Sequence, residues 1–145
     1  GLRRSMLLLR RRPVETTCMA PELVVVDASA VVRLLLYGSP ALPLGAVFVA
    51  PAHLDAEVLS ALARLCRAGQ VSTAAVEDML DGLAELPVRR VQLPQLLQSA
   101  FALRDNIAQR DSLYVVLAQH LDAALLTLDT RLATACRQQQ LCRVV

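Results

Sequence analysis

The chain has 145 residues, the size of one domain with one core, and its basic residues are fifteen arginines with no lysine, which excludes any mechanism that needs a catalytic lysine. Hydrophobic residues make up 55% and aromatic residues only 3%, so the core must be Leu, Val and Ala, and an aromatic base-stacking platform is disfavoured. Residues 1–18 carry a charge of +4, whereas residues 19–145 hold ten arginines against twelve acids, so the main part is mildly acidic and not a generic polyanion binder.

The composition changes sharply just before Met19. We therefore expect residues 1–18 to be an N-terminal extension outside the folded domain, which spans residues 19–145. No stretch reaches the roughly 18 uncharged apolar residues of a membrane helix, so we expect no membrane association. The four cysteines form no C-x-x-C pair, which favours reduced, mostly buried thiols in a cytoplasmic protein. These cysteines are Cys18, Cys66, Cys136 and Cys142.

The first half of the chain predicts two strands and three helices. Residues 23–26 form a continuous β-branched run, typical of a strand covered on both faces, and a helix to Leu36 follows with Ser29 as its N-cap. A second strand is predicted at residues 47–49. Apolar residues at helical spacing then predict a helix over 52–67, and Ser72 is suited to cap a third helix that ends at Pro87.

The second half continues the alternation of strands and helices. A strand is predicted at residues 88–93, and Pro94 opens the next helix. A helix starting near Asp111 is apolar almost all round, so we expect it to be central. In chain order, the last predicted elements are a strand at 124–128, a helix at 130–139 and a terminal strand at 141–145. This order predicts an α/β fold with a mostly parallel central sheet and helices on both faces.

Four acids follow or interrupt the most buried predicted segments: Asp27, Glu57, Asp111 and Asp129. Asp27 and Asp129 stand where strands end, and in a parallel α/β sheet the carboxyl ends of the strands line the functional crevice. Clustered carboxylates repel one another unless a cation lies among them, and oxygen ligands of this type suit Mg²⁺ or Mn²⁺. Such ions activate water and stabilise phosphoryl oxygens during in-line displacement.

Each acid also has a simpler interpretation. Asp27, Asp111 and Asp129 are suited to be helix N-caps, and Glu57 to be a solvated helix acid. Asp55 cannot face the same way as Glu57, because two helical positions differ by about 200°. His53 and His120 lack a partner motif, so each is interpreted as structural. Three arginines near the acids are candidate phosphate contacts, although solvated or ion-paired roles stay open for each: Arg33, Arg110 and Arg131.

The motif set resembles the PIN-domain family, and within it the VapC-type toxins, over roughly residues 22–145. The matching segments are Val24–Ala30, Pro51 with Glu57–Leu62, Arg110–Ala118 and Leu125–Leu132. The resemblance implies a single PIN-like domain in which Asp27, Glu57, Asp111 and Asp129 bind metal. It also implies that Ser29 or Thr127 assists through hydrogen bonds to ligands or water. Ser112 departs from the family pattern, which has Ala after the third acid.

The family's properties then become expectations for this chain. Members cut RNA with Mg²⁺ or Mn²⁺, commonly form homodimers, and are silenced by a cognate antitoxin whose tail places a basic residue in the acidic site. Two alternatives stay open: a non-catalytic PIN-like module that binds RNA or a protein, and a nuclease for housekeeping RNA processing. The complete acidic set favours a metal-dependent endoribonuclease.

Overall fold

The computed structural model describes residues 21–38 and 45–145, so the prediction about residues 1–18 lies outside the described residues. The strands are β1 (Leu23–Val26), β2 (Val47–Pro51), β3 (Val88–Val91) and β4 (Ala124–Leu126). The helices are α1 (Ala28–Tyr37), α2 (Leu54–Arg67), α3 (Thr73–Glu85), α4 (Leu97–Ala102), α5 (Gln109–Leu121) and α6 (Thr130–Gln138), with a 3-10 turn at Pro94–Leu96. Within the described part of the chain, no helix has the length and apolarity needed to cross a membrane.

The four strands form one parallel sheet in the order β3-β2-β1-β4. β1 is central, and its Val24 pairs with Phe48 of β2 on one side and with Ala124 of β4 on the other. The consecutive residues Val24, Val25 and Val26 are all buried, although alternate side chains point to opposite faces. Both faces of the sheet are therefore covered, as the β-branched run predicts.

The helices α1 to α5 divide into two groups on the two faces of the sheet. α1, α2 and α3 contact one another, and α4 contacts α5, which also packs against β1, β2 and β4. The connections from β1 to β2 and from β2 to β3 move one way across the sheet, whereas the connection from β3 to β4 returns across it. Parallel crossovers are right-handed, so the reversal places α5 on the opposite face from α1. The predicted α/β architecture is confirmed.

α5 is the central helix, because every residue from Ser112 to Ala118 is buried. Ser112, the departure from the family pattern, donates a hydrogen bond from its hydroxyl to the carbonyl of Gln109 at 2.6 Å. This bond satisfies the buried hydroxyl, so having Ser112 in place of the family's Ala leaves no unpaired polar side-chain atom at this position. The C-terminal end of α5 is closed by Asp122, whose φ of 49° lies in the left-handed region.

The prediction for the C-terminal strand is wrong. Only one isolated parallel bridge joins Val144 to Leu125, held by the bonds from Leu125 N to Arg143 O (2.8 Å) and from Val145 N to Leu125 O (3.0 Å). The chain leaves α6 through a turn with Gln140 at φ 52°, so only its last residues reach the sheet edge. β4 is also shorter than predicted and ends at Leu126.

Candidate active site

Asp27 lies at the C-terminal end of β1 and is only 5% exposed. Its Oδ1 accepts hydrogen bonds from Ser29 Oγ at 2.6 Å and from Ala30 N at 3.0 Å, and its Oδ2 accepts one from Thr127 Oγ1. Asp27 is therefore the N-cap of α1, and the prediction that Ser29 caps this helix is wrong, because α1 already begins at Ala28. The Ser29 hydroxyl instead binds the capping carboxylate.

Ser29 and Thr127 also connect α1 to the segment that follows β4. The Ser29 hydroxyl accepts a bond from Leu128 N at 2.9 Å, and the Thr127 hydroxyl accepts one from Asp129 N at 3.0 Å. Asp129 in turn caps α6, where its Oδ1 accepts from the backbone N–H groups of Arg131 (2.9 Å) and Leu132 (3.2 Å). The two hydroxyls thus fix the backbone that carries Asp129 relative to Asp27.

Glu57 lies on α2 and is held by residues from α5 and its own helix. Its Oε1 accepts a hydrogen bond from the Tyr114 hydroxyl at 2.6 Å, and His53 Nε2 lies 3.3 Å from the same oxygen. Arg110 Nε is 3.8 Å from Glu57 Oε2. Burial, followed by the bond to Glu57, raises the pKa of Tyr114, so the phenol stays protonated and donates.

Asp111 lies in the first turn of α5, and its carboxyl is surrounded by like charges. Burial raises its pKa most, and the neighbouring carboxylate of Glu57 raises it further, with smaller contributions from Asp129 and Asp27 that Arg110 partly offsets. Burial likewise raises the pKa of Asp27, although the bonds from Ser29 and Thr127 act in the opposite direction. The acids are therefore close enough to interact electrostatically.

All four predicted acids line one open cleft of about 700 Å³. Asp27, Glu57, Asp111 and Asp129 come from four different parts of the chain, and the fold brings them together. Ser29 and Arg110 also line this cleft, whereas Arg33 lines an apolar groove of its own and Arg131 a separate depression on α6. Four further polar residues that the sequence analysis did not select line the cleft: His53, Ser60, Arg64 and Tyr114.

Sequence signals exist for some of these additional residues. His53 and Glu57 are four positions apart on the same helical face, and Arg64 is seven positions beyond Glu57 on that face. A tyrosine inside an apolar helix also implies a buried partner for its hydroxyl. Asp55 points elsewhere, as its helical position predicts, and pairs with Arg90 at 2.9 Å.

The donor chemistry of the cleft fits a hard divalent cation. Carboxylate oxygens are the ligands that Mg²⁺ and Mn²⁺ prefer. Burial is the main cause of the raised pKa of Asp111, and the carboxylate of Glu57 raises it by more than Arg110 lowers it. Within residues 21–38 and 45–145, no three His, Cys, Asp or Glu side chains converge into a ready-made cage. Mg²⁺ does not require one, because it usually keeps several waters and binds one or two carboxylates.

Comparison with known proteins yields no matching family model but several curated relatives. Ribonuclease VapC3 of Mycobacterium tuberculosis is 47% identical over 121 residues, which cover 79% of this chain and 88% of the relative. Ribonucleases VapC1 and VapC12 of the same organism are 41% and 35% identical, each across 77% of this chain and about nine-tenths of their own. The crystal structure of PAE2754 from Pyrobaculum aerophilum has a TM-score of 0.62 at 22% identity, covering 81% of this chain and 86% of that one, which shows a shared fold. The chain belongs to the VapC ribonuclease family.

Proposed function

We propose that this chain is a cytoplasmic, Mg²⁺- or Mn²⁺-dependent endoribonuclease and the toxin of a type II toxin–antitoxin pair. The observation that carries the proposal is the single cleft lined by Asp27, Glu57, Asp111 and Asp129. The curated relatives are named ribonucleases, which supports RNA as the substrate. The cleft is open to solvent at the edge of the sheet where β1 and β4 end, so single-stranded RNA can reach the acids.

The four acids would hold the divalent ion, one or two of them directly and the others through its water ligands. A bound Mg²⁺ or Mn²⁺ supplies a Lewis acid and a water of lowered pKa for phosphodiester hydrolysis. The Ser29 and Thr127 hydroxyls donate to both oxygens of Asp27, which favours the ionised carboxylate and opposes the effect of burial. These two residues therefore orient Asp27 and offset part of the effect of burial on its pKa.

Two arginines on the cleft walls would contact the RNA backbone. Arg110 is 75% exposed in its side chain and close to Glu57, and Arg64 lies on the same face of α2 as Glu57. Arginine side chains bind phosphates through charge-assisted hydrogen bonds without reading the base sequence. Arg33 and Arg131 stay candidates from the sequence, but both line surfaces outside this cleft.

A cognate antitoxin and a homodimer complete the proposal, on the basis of the family resemblance. The antitoxin would inhibit by placing a basic side chain between the carboxylates. The interaction among Asp27, Glu57, Asp111 and Asp129 provides the reason: burial raises the pKa of Asp111 most, repulsion by the other acids raises it further, and a cation inserted there relieves this repulsion.

The test compares the wild type with Glu57→Gln, using Glu77→Gln on the exposed side of α3 as the matched control. Wild type and the control should cleave RNA with Mg²⁺ or Mn²⁺, stop in EDTA, and arrest growth when induced without antitoxin. Glu57→Gln should neither cleave RNA nor arrest growth. Undiminished cleavage in EDTA by pure protein would exclude the metal mechanism, and harmless expression in a host lacking the antitoxin gene would exclude the toxin role.

A further inference from the structure

The side chain of Tyr114 lines the wall of the acidic cleft, at a position the family's acidic motif does not include. Tyr114 is 1% exposed, stands in the middle of α5, and donates to Glu57 Oε1 at 2.6 Å across 57 residues of sequence. Hydrogen bonds to an ionised acceptor are short and about twice as strong as neutral ones. This bond joins the helix that carries Asp111 to the helix that carries Glu57.

His53 supports this bond from the side. Its Nε2 lies 2.9 Å from the carbonyl oxygen of Arg110 and 3.3 Å from Glu57 Oε1, and both of these groups are acceptors. Nε2 must therefore carry the proton that it donates. The rings of His53 and Tyr114 are 4.7 Å apart and inclined by 40°, so His53 also restricts movement of the tyrosine ring.

The two oxygens of Glu57 consequently have different surroundings. Oε1 accepts the hydrogen bond from Tyr114 and lies 3.3 Å from His53 Nε2, whereas Oε2 lies 3.8 Å from Nε of the exposed Arg110. A glutamate side chain normally loses considerable rotamer freedom when it binds an ion. In this chain that freedom is already removed before any ion binds, because Oε1 is anchored to α5.

We propose that Tyr114, supported by His53, is a positioning residue that holds Glu57 so that Oε2 is presented to the divalent cation. The inference rests on the proposed function, since it assigns a task within the same site. Tyr114 acts through Glu57 and not on the RNA, because its side chain is buried. Partners of this kind, which orient a metal ligand, alter metal affinity by about 10–100-fold when they are removed.

The experiment measures Mn²⁺ binding to the RNA-free protein by calorimetry, together with RNA cleavage as a function of Mn²⁺ concentration. Tyr114→Phe keeps the ring and removes only the hydroxyl, and Tyr37→Phe is the matched control because Tyr37 is 77% exposed at the end of α1. We expect Tyr114→Phe to weaken Mn²⁺ binding about 10-fold and to regain most of its cleavage rate at saturating Mn²⁺. Tyr37→Phe should match the wild type in both measurements.

A second comparison separates positioning from general damage. In the Glu57→Gln background, adding Tyr114→Phe should cause no further loss of Mn²⁺ affinity, because the group that the hydroxyl positions is already gone. If circular dichroism shows that Tyr114→Phe does not fold, His53→Gln replaces it and should shift the Mn²⁺ dissociation constant in the same direction. An unchanged constant in the folded variant, with a wild type that binds Mn²⁺ and cleaves RNA, overturns the positioning role alone. A wild type that neither binds Mn²⁺ nor cleaves RNA overturns the proposed function itself.

Discussion

Replacing Asp111 by Asn should raise the melting temperature of the metal-free protein while removing its nuclease activity. The ionised carboxyl of Asp111 is disfavoured first by burial and then by repulsion from Glu57, Asp129 and Asp27, of which Arg110 offsets only part. Asn keeps the shape of the side chain and removes the charge. The protein should therefore gain stability from a substitution that destroys a proposed metal ligand, as happens where a site is arranged for function at the expense of stability.

The sign follows from the raised pKa. The folded state binds the Asp111 proton more tightly than the unfolded state does, so this group's contribution to stability is fully present below its ordinary pKa of 3.8 and is lost as pH rises through the folded value. The advantage of Asn should consequently be small near pH 4 and larger at pH 7. Stabilising substitutions at such sites contribute about 1 kcal/mol, or about 4 °C for a domain of this size.

Divalent metal should reverse the order of the melting temperatures of wild type and Asp111→Asn. Wild-type protein at 100 times its dissociation constant gains about 2.7 kcal/mol from binding, whereas Asp111→Asn binds the ion weakly and gains little. Asp111→Asn should thus melt above the wild type in EDTA and below it in saturating Mn²⁺. The cleavage rate should fall by about 100-fold or more, the usual effect of removing one group that stabilises transition-state charge.

Differential scanning calorimetry of both proteins in EDTA and in Mn²⁺, at several pH values, measures every part of this prediction. Asp81→Asn is the matched control, because Asp81 is exposed on α3 outside the cleft. A lower melting temperature for Asp111→Asn in EDTA at pH 7 would refute the electrostatic reasoning. Equal stabilisation of both proteins by Mn²⁺ would refute the role of Asp111 in metal binding.

Two further predictions concern the RNA path and the N-terminal region. Arg64→Ala and Arg110→Ala, each in the inactive Glu57→Gln background, should weaken RNA binding and reduce the slope of log affinity against log salt by about 0.7 per lost phosphate contact. Arg33→Ala is the control and should leave this slope unchanged. Equal slopes for all three variants would show that Arg64 and Arg110 do not contact the RNA. A chain that begins at Met19 should melt within about 2 °C of the full chain, the range typical of surface changes, and a drop of many degrees on truncation would show instead that residues 1–18 pack on the domain.

The sequence was sufficient to predict where Asp27 and Asp129 stand, because each directly follows a β-branched or apolar run near the end of a buried strand. Periodicity also identified α5 as central, since its residues from Ser112 to Ala118 are apolar or small on every side. The acids converge for a topological reason: parallel strands end at one edge of the sheet, so residues distant in sequence share that edge.

The partners of Glu57 could not be predicted in the same way. The bond from Tyr114 spans 57 residues and depends on how α5 packs against α2, which helical periodicity does not specify. The choice between Asp27 and Ser29 as the cap of α1 depended on a two-residue shift of the helix start, which is within the usual error of helix-boundary assignment. The prediction of a terminal strand was wrong because the turn at Gln140, and not the apolar composition of residues 141–145, determines how much of the chain reaches the sheet edge.

The capping roles of Asp27 and Asp129 affect how this site would evolve after a loss of activity. In a pseudoenzyme descended from this chain, selection for chemistry would end at all four acids together. Positions 27 and 129 would nevertheless keep favouring Asp, Asn, Ser or Thr, because α1 and α6 still need acceptors for their first N–H groups. Asp111 caps nothing and is repelled by its neighbours, so it would drift first. An acid at position 111 is therefore a better indicator of retained catalytic activity than the aspartates at positions 27 and 129.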